Sequence, residues 1–213
     1  PDDVTVNVYH WPGDEAVALN VLQFSLDSVR IFNEKFGPYP YVELDVAETF
    51  NYTGIEYPGI IVIAERNWER GNQFLEITTT HEVAHQWWYS LVGNNQVGKP
   101  WLDESLTSYS EYVYMRNVYD ERRGADLVDG DDRSYKRYKD SGWPDLAMGL
   151  STAAYNGGNY GMIIYVKGPL FYQRLENEIL GREAFFEAVQ LYFQRHRYEI
   201  VRSQDVLEAF EDS

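Results

Sequence analysis

Three side chains in this 213-residue chain have the types and spacing of a zinc site. His81 and His85 stand in the run His81-Glu82-Val83-Ala84-His85, and Glu104 follows, after eighteen intervening residues, in Trp101-Leu102-Asp103-Glu104-Ser105. Residues four apart on a helix share a face, so both imidazoles are expected to point at one locus. Two nitrogens and one carboxylate leave a fourth position open for water, which separates a hydrolytic zinc from a structural one. One Zn2+ per chain is therefore expected. Glu82 looks into the same cleft from beside the histidines and is the candidate general base, taking a proton from water and handing it to the leaving group. Of four histidines in the chain, the other two, His10 and His196, fall at a predicted strand end and in a basic helix end and are read as structural.

These residues need elements to position them. Residues 74–91 have helical periodicity, with Ile77, Ala84, Trp88 and Leu91 forming one apolar stripe, and the helix is predicted to end near Gly93. A loop over residues 94–100 then reverses the chain, and a second helix beginning close to Asp103 carries Glu104 back to the histidines. Glu111 lies seven residues after Glu104, hence on its face, as a candidate acceptor behind His81 or as a solvated helix acid. Upstream, Val4, Val6 and Val8 alternate as a strand, and Asp14 is placed to cap a helix with Leu22, Leu26, Val29, Phe32 and Phe36 on its apolar face. Gly37-Pro38 stops that helix. Val42, Leu44 and Val46 alternate as a second strand, and residues 59–64 are apolar on both faces, as a central strand requires. Helical patterns recur over residues 161–180, 183–196 and 203–211, separated from the zinc helices by a polar stretch around 124–157. The pattern predicts an α+β fold in one domain over residues 1–213, a strand-rich half (1–72) leading into a helical half (73–213) with zinc at the junction.

Composition bounds the partners. With 44% apolar residues, the chain can bury a substantial core. The formal charge of −16 argues against nucleic acid, whose phosphates it would repel, and favours a cationic or amino-terminal substrate. No apolar run approaches the roughly 20 residues needed to cross a bilayer, and no basic-then-apolar leader is present. Zero cysteines exclude disulfides and thiolate ligands and leave the compartment open, cytoplasmic or exported.

The two zinc segments together resemble the gluzincin aminopeptidases, the family of aminopeptidase N and leukotriene hydrolase. Gly54-Ile55-Glu56-Tyr57-Pro58 looks like that family's Gly-x-Met-Glu-Asn exopeptidase motif, Trp101-Leu102-Asp103-Glu104 is similar to its Trp-Leu-Asn-Glu, and Tyr165-Val166-Lys167-Gly168 resembles its Tyr-x-Lys-Gly. The resemblance implies a thermolysin-like catalytic domain excised from a larger enzyme with flanking domains, the strand at Val4 to Val8 being the tail of a preceding one. It implies that Tyr165 donates to the developing oxyanion, with Tyr160 a further candidate on the same wall. It also implies that Glu56, with Gly54 and Ile55 beside it, binds the free α-amine of a peptide and so restricts cleavage to the first bond. Ile55 and Tyr57 depart from the motif and alter the wall around the bound amine. Asp103 replaces an asparagine, and an extra carboxylate there is expected to raise the basicity of a ligating histidine.

Three activities fit these residues: a zinc aminopeptidase, a zinc endopeptidase or other hydrolase on the same scaffold, and a non-catalytic peptide-binding module. The intact Glu82 and ligand set argue against the last.

Overall fold

Alternating apolar residues build a four-stranded mixed sheet in the first third of the chain. The computed structural model describes residues 4–50, 53–69 and 72–212, residue 72 by its backbone alone. Strand β1 (Thr5–Tyr9) is followed by helix α1 (Glu15–Lys35) and then by β2 (Glu43–Thr49), β3 (Gly54–Tyr57) and β4 (Ile60–Ala64). The order is β1-β2-β4-β3, with β1 and β4 parallel to β2, and β3 antiparallel to β4 along the outer edge. The apolar run at residues 59–64 thus occupies an inner position, where Ile61 and Ile63 are fully buried. β1 pairs with β2 over its whole length, from Thr5 opposite Glu43 to Tyr9 opposite Ala47. It is therefore an integral outer strand of this sheet, which corrects its reading as the tail of another domain.

Helix α1 covers the sheet, but with a face rotated from the expected one. Val21, Ser25, Ser28, Val29 and Phe32 are buried, whereas Leu22 is half-buried and Leu26 is exposed. The serines explain the rotation. Each hydroxyl is satisfied inside α1, Ser25 donating to Val21 O and Ser28 to Phe24 O, and Ser28 also meets Thr80 Oγ1 at 3.2 Å on the zinc helix. Small, internally bonded side chains let the two helices approach, and the larger leucines turn outward. Asp14 sits at the N-cap without a side-chain capping bond, and its carbonyl accepts from Ala18 instead.

A short helix α2 (Glu65–Trp68) leads to α3 (Asn72–Ala84), which carries the His-Glu-x-x-His run. This helix stops at Ala84, well before Gly93. Glu76, Thr79, Thr80, Val83, Ala84, Gln86, Trp87 and Trp88 are all buried, so the segment is enclosed nearly all round and no stripe marks its end. Beyond His85 the chain turns through Tyr89, at φ 151°, into β5 (Val92–Asn94). A 3₁₀ turn at Pro100–Leu102 precedes α4 (Glu104–Val118), capped by Asp103.

The polar stretch after residue 120 is largely helical, α5 (Glu121–Asp140), contrary to expectation. Two glycines and a high charge hid it. It is capped by Asp120, and Leu127, Val128, Tyr135 and Tyr138 pack on the core. A further 3₁₀ turn (Thr152–Ala154) leads to a continuous run of helix over residues 157–180. That run comprises α6 (Gly157–Tyr160), a π-helical segment (Gly161–Lys167), α7 (Gly168–Arg174) and a second π segment (Leu175–Leu180). Helix α8 (Arg182–His196), strand β6 (Glu199–Val201) and α9 (Ser203–Glu211) complete the described chain. β6 pairs in parallel with β5, tying the segment after the zinc helix to the C-terminal helices. Among the described residues no helix is long and apolar enough to cross a membrane.

Candidate metal centre

Helices α3 and α4 pack across a short reversal, and their facing side chains set the geometry. Trp88 Nε1 donates to Ser110 Oγ (3.1 Å) and Tyr114 OH to Glu76 Oε1 (2.9 Å), fixing the two helices against each other. His81, His85 and Glu104 then converge, each offering one donor atom within 4.8 Å of the others. Glu104 Oε2 lies 3.2 Å from His81 Nε2 and 3.4 Å from His85 Nε2. Ligands held about 2.0–2.1 Å from a tetrahedral zinc stand about 3.4 Å apart, so the donor set fits that ion.

The opposite ring nitrogens are engaged elsewhere, which aims Nε2 of each histidine at the common point. His81 Nδ1 is 2.8 Å from Glu111 Oε1, and His85 Nδ1 is 3.1 Å from Trp88 O with Thr107 Oγ1 at 3.3 Å. Glu111 thus sits where its helical spacing placed it. Asp103 does not contact either ring in this way: its Oδ1 accepts from the Glu104 backbone N–H at 2.9 Å as a helix cap, and its Oδ2 is buried without a hydrogen-bond partner. It caps the Glu104 helix, and its carboxylate lies within 4.8 Å of a His85 ring nitrogen, where their charges interact, while the hydrogen-bond partner of His85 Nδ1 is the Trp88 carbonyl.

Burial dominates the electrostatics. It pushes the Glu82 carboxyl up to about 7 and Asp103 to about 6. On His85 burial works against the charged form, but the Glu104 carboxylate outweighs it and holds the imidazole at about 9. For Glu104 burial alone would raise the pKa, and the two imidazoles bring it far below the ordinary carboxylate range. Burial and the Glu104 carboxylate together hold the proton of Tyr165 well above the usual phenol range.

The cleft over these donors has a volume of about 340 Å³, and Gly54, Glu56, Glu82 and Tyr165 line it with the three donors. Glu82 has one carboxylate oxygen, Oε2, buried and unpartnered. Gly54 on the edge strand lies directly over that side chain, and a methyl group there would overlap its carboxylate, so a glycine is needed for the close approach. Ile55 and Glu56 follow on the same strand. The Tyr165 ring stacks at 5.9 Å on His81, and Tyr160 meets Tyr165 edge-on at 5.7 Å, close enough to Glu104 to feel its charge. His10 and His196 lie away from the cleft, contacting Trp11 O and Glu199.

Two glutamines that no motif singled out complete the wall. Gln86, next to His85, donates to Tyr57 O (3.0 Å) and accepts from Gly59 N (2.8 Å), which clamps the β3–β4 hairpin to the zinc helix. Gln96, from the loop after β5, donates to Glu56 Oε1 at 2.8 Å and fixes that carboxylate. Both act across more than 25 positions of sequence, and local spacing carries no sign of them.

Comparisons with known proteins bear on the family and the fold. The sequence model described as Peptidase family M1 domain matches residues 20–213. Aminopeptidase 2 of Candida albicans is 22% identical over 223 residues, covering 99% of this chain and 24% of its own length. Aminopeptidase N of Streptomyces lividans is 26% identical over 211 residues, covering 85% of this chain and 23% of its own. The chain therefore spans about a quarter of the length of these curated relatives. Among solved structures, the M1 zinc metallopeptidase from Deinococcus radiodurans superposes with a TM-score of 0.71 at 20% identity, over all of this chain and 42% of that one.

Proposed function

Because this chain belongs to peptidase family M1, we propose that it is the catalytic domain of a longer zinc aminopeptidase. Its substrates are peptides with a free amino terminus, from which it hydrolyses the first bond. The observation that carries the reading is one cleft in which His81, His85 and Glu104 converge, with Glu82 Oε2 unpartnered beside them and Glu56 on the adjoining strand.

His81, His85 and Glu104 would hold one Zn2+, which would supply Lewis acidity toward the scissile carbonyl and the attacking water. Glu82 takes the proton from that water and passes it to the leaving amine. Lying outside the three convergent donors, with Oε2 buried and unpartnered, it is available for both transfers. Tyr165, on the wall beside His81, donates to the oxygen on which charge develops. Glu56, held by Gln96 through one oxygen, offers the other to the substrate's ammonium and so sets the register.

Glu111 positions His81 through the 2.8 Å contact with Nδ1. Glu111→Ala should weaken zinc affinity by about 10- to 100-fold, the usual effect of losing such a partner, as read by competition with a chelating dye. Unchanged affinity would remove Glu111 from the site.

Glu56 provides the test of specificity. A hydrogen bond to a charged group is worth about 1.5–3 kcal/mol, or roughly ten- to a hundredfold in kcat/KM at 1.36 kcal/mol per decade. In the full-length protein, free-amine aminoacyl substrates should be cleaved faster than amino-acetylated ones by that factor, and Glu56→Gln should abolish the difference. Equal cleavage of both by the parent protein, with zinc present, would replace the aminopeptidase reading by an endopeptidase one. Ile55 and Tyr57 near the amine make that comparison worth running first.

A further inference from the structure

The helix that carries Tyr165 is wider than an α-helix at this point, and Pro169 explains why. Proline has no N–H, and in an α-helix its ring collides with the carbonyl four residues before it, here that of Tyr165. The chain avoids the collision by taking the i→i+5 register: the Gly168 N–H donates to Ile163 O, not Ile164 O. In that register Ile164 O would accept from residue 169, where no N–H exists. The orphan carbonyl is fully buried with Ile164, so it needs a donor from elsewhere.

Ser105 supplies it. Its hydroxyl donates to Ile164 O at 2.8 Å across a contact from which water is excluded, Ser105 itself being fully buried. The approach is possible because residue 168 is glycine: a methyl group there would overlap the Ser105 Oγ. Ser105 is also the residue after Glu104, in the first turn of α4. One hydroxyl therefore joins the backbone that presents a zinc ligand to the backbone immediately before Tyr165.

We infer that Ser105 is a positioning residue: its bond to Ile164 O, made over Gly168, holds the wide turn at Pro169 and thereby fixes Tyr165 relative to Glu104. The inference rests on the oxyanion role proposed for Tyr165 only where activity is the readout, because the position of the ring can be measured separately.

The test is a double-mutant cycle in the full-length zinc-loaded protein. Ser105→Ala should lower kcat by about 10- to 100-fold, the scale of a small misplacement of a catalytic group, with KM within about twofold and zinc content unchanged. In a Tyr165→Phe background the same substitution should change kcat by less than about twofold, since the group it positions is gone. A full multiplicative loss in that background would overturn the inference. Gly168→Ala, which pushes Ser105 away rather than truncating it, should show the same dependence on Tyr165.

The second readout is independent of turnover. With 3-fluorotyrosine introduced at position 165 alone, the fluorine resonance of the metal-free protein should shift or broaden on Ser105→Ala. An unmoved resonance would overturn the positioning role even if kcat fell. A moved resonance together with a Tyr165→Phe variant of normal kcat would uphold the positioning link and remove Tyr165 from the proposed mechanism.

Discussion

Glu82→Gln should lower kcat by about 10²- to 10⁴-fold, the range for loss of a general acid–base, while zinc remains stoichiometric. The amide keeps the volume of the carboxylate, so the close contact under Gly54 is preserved and the cleft keeps its shape. The three convergent donors do not include Glu82, which is why metal content should stay constant. What the amide cannot do is accept a proton from water and return it to the leaving amine. KM should change little, because Glu82 holds no part of the peptide in the proposed mechanism. Loss of zinc from this variant would make Glu82 a ligand, and retention of normal kcat would require another base. Glu82 is the one carboxylate on the cleft lining with a buried, unpartnered oxygen among the described residues, so no second candidate stands ready.

How far the site was legible in the sequence depended on the range of the interactions. His81, His85 and Glu82 follow from helical period alone, and Glu111 from its distance of two turns after Glu104. Each is a short-range relation on one rigid element, and the structure places all four accordingly. The strand-rich half was readable for the same reason, since alternation marks Leu44 and Val46, and an unbroken apolar run marks Ile61 and Ile63, whatever they pack against.

The misreadings arose where tertiary contacts decide. The zinc helix ends at Ala84, but burial on every side removes the pattern that would announce an end. Helix α5 does carry an apolar stripe, Leu127, Val128, Tyr135 and Tyr138, but it is thin and set among many charges and two glycines, which concealed it. The α1 face was assigned to the largest residues, whereas the serines that allow close approach to α3 face inward. Gln86, Gln96 and Ser105 form their contacts with partners 27 to 59 positions away, where a single sequence offers no spacing rule. Asp103 does two things at once: at a helix start the nearest unsatisfied donor is the backbone N–H, which takes one oxygen, while the carboxylate stays close enough to His85 for their charges to interact.

Tyr165→Phe should keep zinc and substrate affinity and lower kcat by about 10²- to 10³-fold, the loss measured for a single oxyanion donor. The ring should stay in place without its hydroxyl, because the stacking on His81 and the edge contact with Tyr160 remain when the hydroxyl's own bonds to Glu104 and Tyr160 are lost. Burial raises the Tyr165 hydroxyl above the usual phenol range, which suits it to the role of a donor. Its contribution is made to charge that exists only in the transition state, and for that reason the loss should fall on kcat and kcat/KM equally. An effect confined to KM would assign Tyr165 to substrate binding, and a kcat unchanged within about twofold would require a different donor for the oxyanion.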